Sequence, residues 1–147
     1  MTIKFQSYAG QIFLCSFSWS IENEMKKLRP VVAITAPTTK LRQSKLCHIV
    51  PLSTTEPREI KKYHCKLTNM PLITDYFCQK ECWAKCDMIF TVSYKRLDLP
   101  FKGRDVSGKR SYTPINVGKL NLDKIRTSVL EALQFKSDLK NSEIIIQ

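Results

Sequence analysis

Arg29, Ser53 and Thr54 are the residues of this 147-residue chain whose types and surroundings invite chemistry. Arg29 opens Arg29-Pro30-Val31-Val32-Ala33-Ile34, a cation and a proline leading into an apolar, β-branched run. A second apolar run, Cys47-His48-Ile49-Val50-Pro51-Leu52, stops at the hydroxyl cluster Ser53-Thr54-Thr55. Two such strands lying side by side bring a guanidinium close to hydroxyls. That combination suits an anion, because the planar fork donates parallel hydrogen bonds and the hydroxyls donate more; a phosphodiester is the obvious candidate. Hydroxyls at a strand end also serve simply to satisfy turn backbone, and an arginine beside a proline also serves as a plain surface cation. The elements around these residues decide between the two uses.

Gly10-Gln11-Ile12-Phe13-Leu14-Cys15-Ser16-Phe17 is glycine-opened, aromatic and β-branched, and reads as a strand. Glu22 to Leu28 is charged and poor in strand formers, a loop or a single helical turn. Pro30 suits the start of a strand, expected from about Val31 to Thr35. Ala36 to Lys45 has turn composition and several cations. Leu46 to Leu52 is the next strand and Lys61 to Leu67 a weaker one. Thr74 to Ala84 is ambiguous; Cys78, Cys82 and Cys86, four apart, would align on a helical face. Asp87 to Ser93 is the last clear strand. Residues 98–118 carry Pro100, Gly103, Gly108, Pro114 and Gly118 and read as a long loop with room for a short hairpin. Asn121 is a suitable N-cap with Asp123 in the first turn. Leu122, Ile125, Val129 and Leu133 then recur at near-helical spacing, so residues 122–136 form an amphipathic helix. Ile144-Ile145-Ile146 is an added strand, a partner-binding segment or a frayed end. Short strands with a late helix imply a mainly β fold, a small curved barrel or sheet with a C-terminal helix against it.

Length points to one domain spanning residues 1–147, large enough for a hydrophobic core. No apolar run approaches the roughly 20 residues of a membrane span, and no secretory signal is visible, so a cytoplasmic protein is expected. The formal net charge of +11, from 24 Lys and Arg against 13 Asp and Glu, favours polyanionic partners, although it also serves solubility. The cations are spread along the chain and not gathered in a tail, which implies a folded basic surface. In a reducing compartment the six cysteines are thiols, and Cys15 and Cys47, inside apolar runs, read as small core residues.

Taken in order, these segments resemble the MazF/PemK (Kid) family of toxin ribonucleases. That family opens with a glycine before an apolar strand, as at Gly10-Gln11-Ile12-Phe13. It has an acidic residue shortly before an Arg-Pro pair and a valine-rich strand, as at Glu24 and Arg29-Pro30-Val31-Val32. A strand ending Val-Pro-x-Thr/Ser follows, as in Val50-Pro51-Leu52-Ser53-Thr54. Cys86-Asp87 through Arg96-Leu97 matches a Cys-Asp pair, a strand and a basic-Leu end, and a C-terminal helix closes the domain. The match covers most of residues 10–97. The resemblance implies an SH3-like barrel, a homodimer, and cleavage of single-stranded RNA by 2′-OH attack on the adjacent phosphate, with neither metal nor cofactor. It also implies an acidic antitoxin lying across the RNA groove. Ser53 stands where the family usually has a threonine, Lys85 where the PemK branch has an arginine, and the segments after Thr55 and over 98–118 look longer than in short toxins.

Such cleavage needs a base for the 2′-OH, stabilisation of a charged phosphorane, and an acid for the departing 5′-oxygen. Arg29 is the phosphate clamp and electrostatic stabiliser. Ser53 is the hydroxyl donor, and Asp87 orients the substrate or serves as base, unless it pairs with Lys85 or caps a turn. Glu24, Thr54 and Lys85 are substrate-binding candidates. His48 alternates with Val50 and Leu52 and reads as a satisfied core histidine, whereas His64 is a spare acid or base. Cys65, Cys78, Cys82 and Cys86 lack zinc-knuckle spacing. Phe77, Trp83, Phe90 and Tyr94 either stack on bases or fill the core. Two other readings use the same fold: a non-catalytic basic RNA-binding module or decayed toxin, and a CcdB-like gyrase poison. The second is disfavoured because its Trp-Gly-Ile ending is replaced by Ile144-Ile145-Ile146-Gln147.

Overall fold

Strict alternation along the apolar runs lets one strand serve two cores, one on each face. The computed structural model describes residues 9–22, 27–35, 45–70, 81–112 and 114–135; Glu24, Phe77, Cys78 and Ile144-Ile145-Ile146 lie outside them. The strands are β1 (Ile12–Ser16), β2 (Leu28–Ala33), β3 (Leu46–Ser53), β4 (His64–Lys66), β5 (Trp83–Lys85), β6 (Phe90–Ser93) and β7 (Leu97–Asp98). They form an antiparallel sheet in the order β4-β5-β3-β2-β1-β7, with β6 also paired to β3. A 3-10 turn at Tyr94–Arg96 carries the chain from β6 to β7. The strands thereby curl around Phe13, Cys15, Val31, Ile49, Val92 and Leu97. No ladder joins β6 to β7 among the described residues, so the barrel is open at that seam.

The residues in between face the other way. Ile12, Val32, Val50, Leu52, Cys65 and Ala84 pack with Leu122, Ile125 and Val129 of α1 (Lys119–Ala132). Each helix side chain so buried contributes about 1.5–3 kcal/mol. Gly10 lets the chain pass close to the strap that leads into α1: its φ is +89°, and a Cβ there would meet Asn116 Oδ1 at 2.7 Å.

Two prolines decide where the ladders stop. The Ala33 N–H donates to the Gln11 carbonyl (2.9 Å) and the Ile34 N–H to the His48 carbonyl (3.0 Å). Odd residues of β2 therefore bond β1, and the missing N–H of Pro30 faces β3, where pairing ends at Val31↔Pro51. The same alternation turns the nitrogen of Pro51 to the other edge of β3, where β6 (ending at Ile49↔Phe90) gives way to β5 (starting at Leu52↔Ala84).

Several sequence expectations are corrected. β2 begins at Leu28, so Pro30 lies inside the strand, tolerated because its nitrogen points to the end of a ladder. The helix starts at Lys119 after Gly118; Asn121 is no cap but a buried clamp. Its Oδ1 accepts from the Thr68 N–H (3.1 Å), and its Nδ2 donates to the carbonyls of Thr68 (2.7 Å) and Val117 (2.9 Å). Leu133 falls beyond the helix and is exposed. Cys82 and Cys86 flank a strand and not a helical turn, both buried in the helix-side core. Asp87 belongs to a turn, because β6 begins only at Phe90. His48 is half-exposed, satisfied by Thr91 Oγ1 at 2.8 Å across the β3–β6 pair and not by the core.

Candidate functional site

Arg29 and Ser53 lie just past the last β2–β3 pair. Val32↔Val50 and Val31↔Pro51 set a register that, continued by two residues, puts Arg29 opposite Ser53. Both have the parity of Val31 and Pro51, hence the same face of the sheet. The β2–β3 ladder has ended there. Arg29 is half-buried and lies opposite Cys15 on its other side. Ser53 is 8 % exposed, and its Oγ accepts the Thr55 N–H at 3.1 Å. Having accepted, the hydroxyl keeps its proton to donate. Thr54 is exposed immediately beyond.

The row continues through neighbouring strands: Ser53 is registered with Trp83, and Trp83 with Lys66. The next rung, Leu52–Ala84–Cys65, is buried on the helix side, so Ser53, Trp83 and Lys66 belong to the opposite face, with Arg29. Lys85, half-buried and registered with His64, shares that face two rungs along. Lys66 Nζ lies 3.0 Å from Glu81 Oε1 and 5.9 Å from the centroid of Trp83. Its hydrogen bond and charge hold the Glu81 carboxyl below the usual carboxylate range. The face is cationic, with a buried indole behind the serine.

The other candidates are less central. Asp87 is exposed in the turn after β5, at the β5–β6 changeover, and shares no ladder pair with Arg29 or Ser53. His64 is on the sheet edge, three strands from Arg29, and its Nδ1 accepts the Lys61 N–H at 2.9 Å. Phe90 and Tyr94 are half-buried against the barrel core. Phe90 meets Trp19 edge-on at 5.7 Å. Trp83 is 5 % exposed, so it supports the site from behind and offers no open stacking face. Lys66 was not legible as a site residue, and Trp83 only as an aromatic that stacks on bases or fills the core, because only the β3–β5–β4 register brings them to Ser53.

The thiols are poor nucleophiles. Burial pushes Cys15 up to about 11, Asp98 adding to the rise and Arg96 opposing it. Burial pushes Cys86 up to about 12, Cys65 and Asp87 adding and a Ser128 hydrogen bond opposing. At neutral pH both are neutral thiols. A cavity of about 510 Å³ lies away from Arg29, between β4 and α1, lined by Cys65, Leu120, Asp123, Lys124 and Thr127.

A family model described as "PemK-like, MazF-like toxin of type II toxin-antitoxin system" matches residues 8–111, more than half of the chain. No curated protein sequence matches. Among solved structures, the fold is similar to MazF from Deinococcus radiodurans (TM-score 0.60, 12 % identity, covering 89 % of this chain and 99 % of that one). It is also similar to an endoribonuclease from a mycobacterial species (TM-score 0.57, 16 % identity, covering 88 % and 93 %). A third similar structure is a mycobacterial endoribonuclease in complex with its cognate antitoxin (TM-score 0.55, 17 % identity, covering 88 % and 97 %).

Proposed function

The chain belongs to the PemK-like, MazF-like toxin family of type II toxin–antitoxin systems, and we propose that it is an endoribonuclease that cleaves single-stranded RNA through attack of a 2′-OH on the adjacent phosphate. The observation that carries this reading is the alignment of Arg29 with Ser53 beyond the proline-ended ladder. In the proposed step the 2′-OH gives its proton to the base as its oxygen bonds to phosphorus, the P–O5′ bond breaks, and O5′ takes a proton from water, so that the products are a 2′,3′-cyclic phosphate and a 5′-OH. Arg29 neutralises the phosphorane that forms between these states, acting as an electrostatic stabiliser and not as a base. Ser53 donates its free hydroxyl proton to a non-bridging oxygen. Lys85 and Thr54 guide the strand, and the family resemblance adds Glu24. Asp87 is assigned the base or orienting role through the family resemblance; its place in an exposed turn requires the RNA to reach across β3. The reaction as written needs no metal.

The cationic face supports one further part of the reading, an acidic antitoxin that covers the same groove; a homodimer rests on the family resemblance, and a cytoplasmic location on the sequence. Among the described residues no helix is long and apolar enough to cross a membrane.

The test is cleavage of a long single-stranded RNA in EDTA by wild type, Arg29→Ala and Ser53→Ala. Cyclic-phosphate ends produced by wild type and lost in Arg29→Ala are expected. A folded wild-type protein that cleaves no RNA tried would refute the ribonuclease reading and leave a binding module on this fold.

A further inference from the structure

The segment that looked long beside short toxins folds as a hairpin of its own, β8 (Phe101–Arg104) and β9 (Arg110–Tyr112), in a two-stranded sheet apart from the main one. Residues 101–112 hold four cations (Lys102, Arg104, Lys109 and Arg110) and one acid, Asp105. The acid is committed to the turn. Asp105 Oδ1 accepts from the Ser107 N–H (2.9 Å), the Ser107 hydroxyl (2.6 Å) and the Lys109 N–H (3.0 Å). The Arg104 guanidinium donates to the Gly108 carbonyl at 2.8 Å, which holds it near the tip. Arg104 and Lys109 are exposed, and neither is in an ion pair among the described residues. Arg104 is also registered opposite Arg110. Like charges at facing positions oppose pairing, in a two-stranded hairpin that is marginal to begin with.

We infer that the hairpin is a basic arm that holds the phosphate backbone of the RNA outside the Arg29 site. The inference rests on the ribonuclease reading for its ligand. Among its described side chains the arm shows one exposed large apolar residue, Val106 at the tip. A protein partner requires an anchor buried in a pocket, whereas a phosphate backbone requires only spaced cations. Its position fits. Leu97, four residues before β8, is registered with Cys15, and Cys15 with Arg29. Two strand spacings of about 4.8 Å and four residues of about 3.4 Å root the arm within roughly 25 Å of Arg29. An RNA that runs past the scissile phosphate toward β8 can then touch both.

The experiment measures RNA binding against salt concentration with 2′-O-methylated RNAs, which lack the attacking hydroxyl, so that no cleavage intervenes. It compares K102Q/R104Q/K109Q/R110Q, which keeps Asp105 and its turn, with the parent on unstructured RNAs of about six and about thirty nucleotides. The expected result is a long-RNA salt slope shallower by about two to three, affinity about tenfold weaker near 150 mM salt, and little change on the short RNA. K102R/K109R, which keeps every charge, is expected to retain the parent slope. Equal slopes for the quadruple variant and the parent on long RNA would overturn the inference. So would an equal loss on both lengths, or a loss confined to binding of an acidic protein. Because binding is read without cleavage, an arm that fails here is distinguishable from a protein that never cleaves RNA.

Discussion

The two faces of the central strands are built from neighbouring residues and do opposite work. On the helix side, Val32, Val50, Leu52, Ala84 and Cys65 are at most 5 % exposed, and Ile125 of α1 is fully covered. The polar group admitted there, Asn121, has both ends of its amide hydrogen-bonded. On the other face, one residue along each strand, Arg29, Ser53, Lys85 and Lys66 gather positive charge around a serine hydroxyl. Period-two alternation thus sets the helix-side core against a face that carries the barrel core (Val31, Ile49) and, past the end of its ladder, the candidate site. Substitutions a single residue apart should therefore damage different properties.

The largest effect is expected from Arg29→Ala. RNA cleavage should fall by about 10²–10³-fold, as when a preorganised transition-state donor is removed, while the melting temperature holds. A variant that unfolds instead would erase the separation between faces. Ile125→Ala should do the reverse, costing about 2–5 kcal/mol in urea denaturation through transfer and cavity terms. Its residual folded fraction should cleave normally. Ser53→Ala should lower cleavage about 10- to 100-fold, and Ser53→Thr, which keeps the hydroxyl, should recover most of it.

The buried thiols sharpen the comparison through pH. Cys15 and Cys86 have pKa values raised by burial, to about 11 and about 12. A raised folded-state value means the unfolded chain loses its protons first. The stabilising contribution is therefore complete below about pH 8.5 and lost as pH climbs through the folded values. Thermal denaturation should show stability declining above pH 9, less steeply in Cys86→Ala relative to its own value at pH 8. The smallest effect is expected from Lys85→Ala, about two- to fivefold on cleavage and diminishing with salt, since a half-exposed cation is screened.

Much of the site was legible because its signals are local. The Arg-Pro pair, the β-branched runs and the hydroxyls after Leu52 are each contained in a few residues. The antiparallel β2–β3 pair then follows from adjacency along the chain. The misread positions share a different cause. Asn121 looked like a cap because its partner, Thr68, is 53 residues away. Cys82 and Cys86 looked helical because spacing by four says nothing of the β4 and β3 edges on which β5 depends. Asp87 was placed in a strand because its run stays apolar through Phe90, and only the break at Pro51 makes a turn there.

By itself the sequence determined the mainly β class, the terminal helix, the basic surface and the Arg29–Ser53 candidate. These follow from periodicity, proline chemistry and charge, which act over a turn or a strand. Tertiary structure alone decided that Trp83 and Lys66 join Ser53's row, that His64 stands three strands away, and that residues 101–112 leave the sheet as a charged hairpin. Register is a property of two segments at once, settled by which pairing buries both apolar sets and leaves no backbone group unpaired.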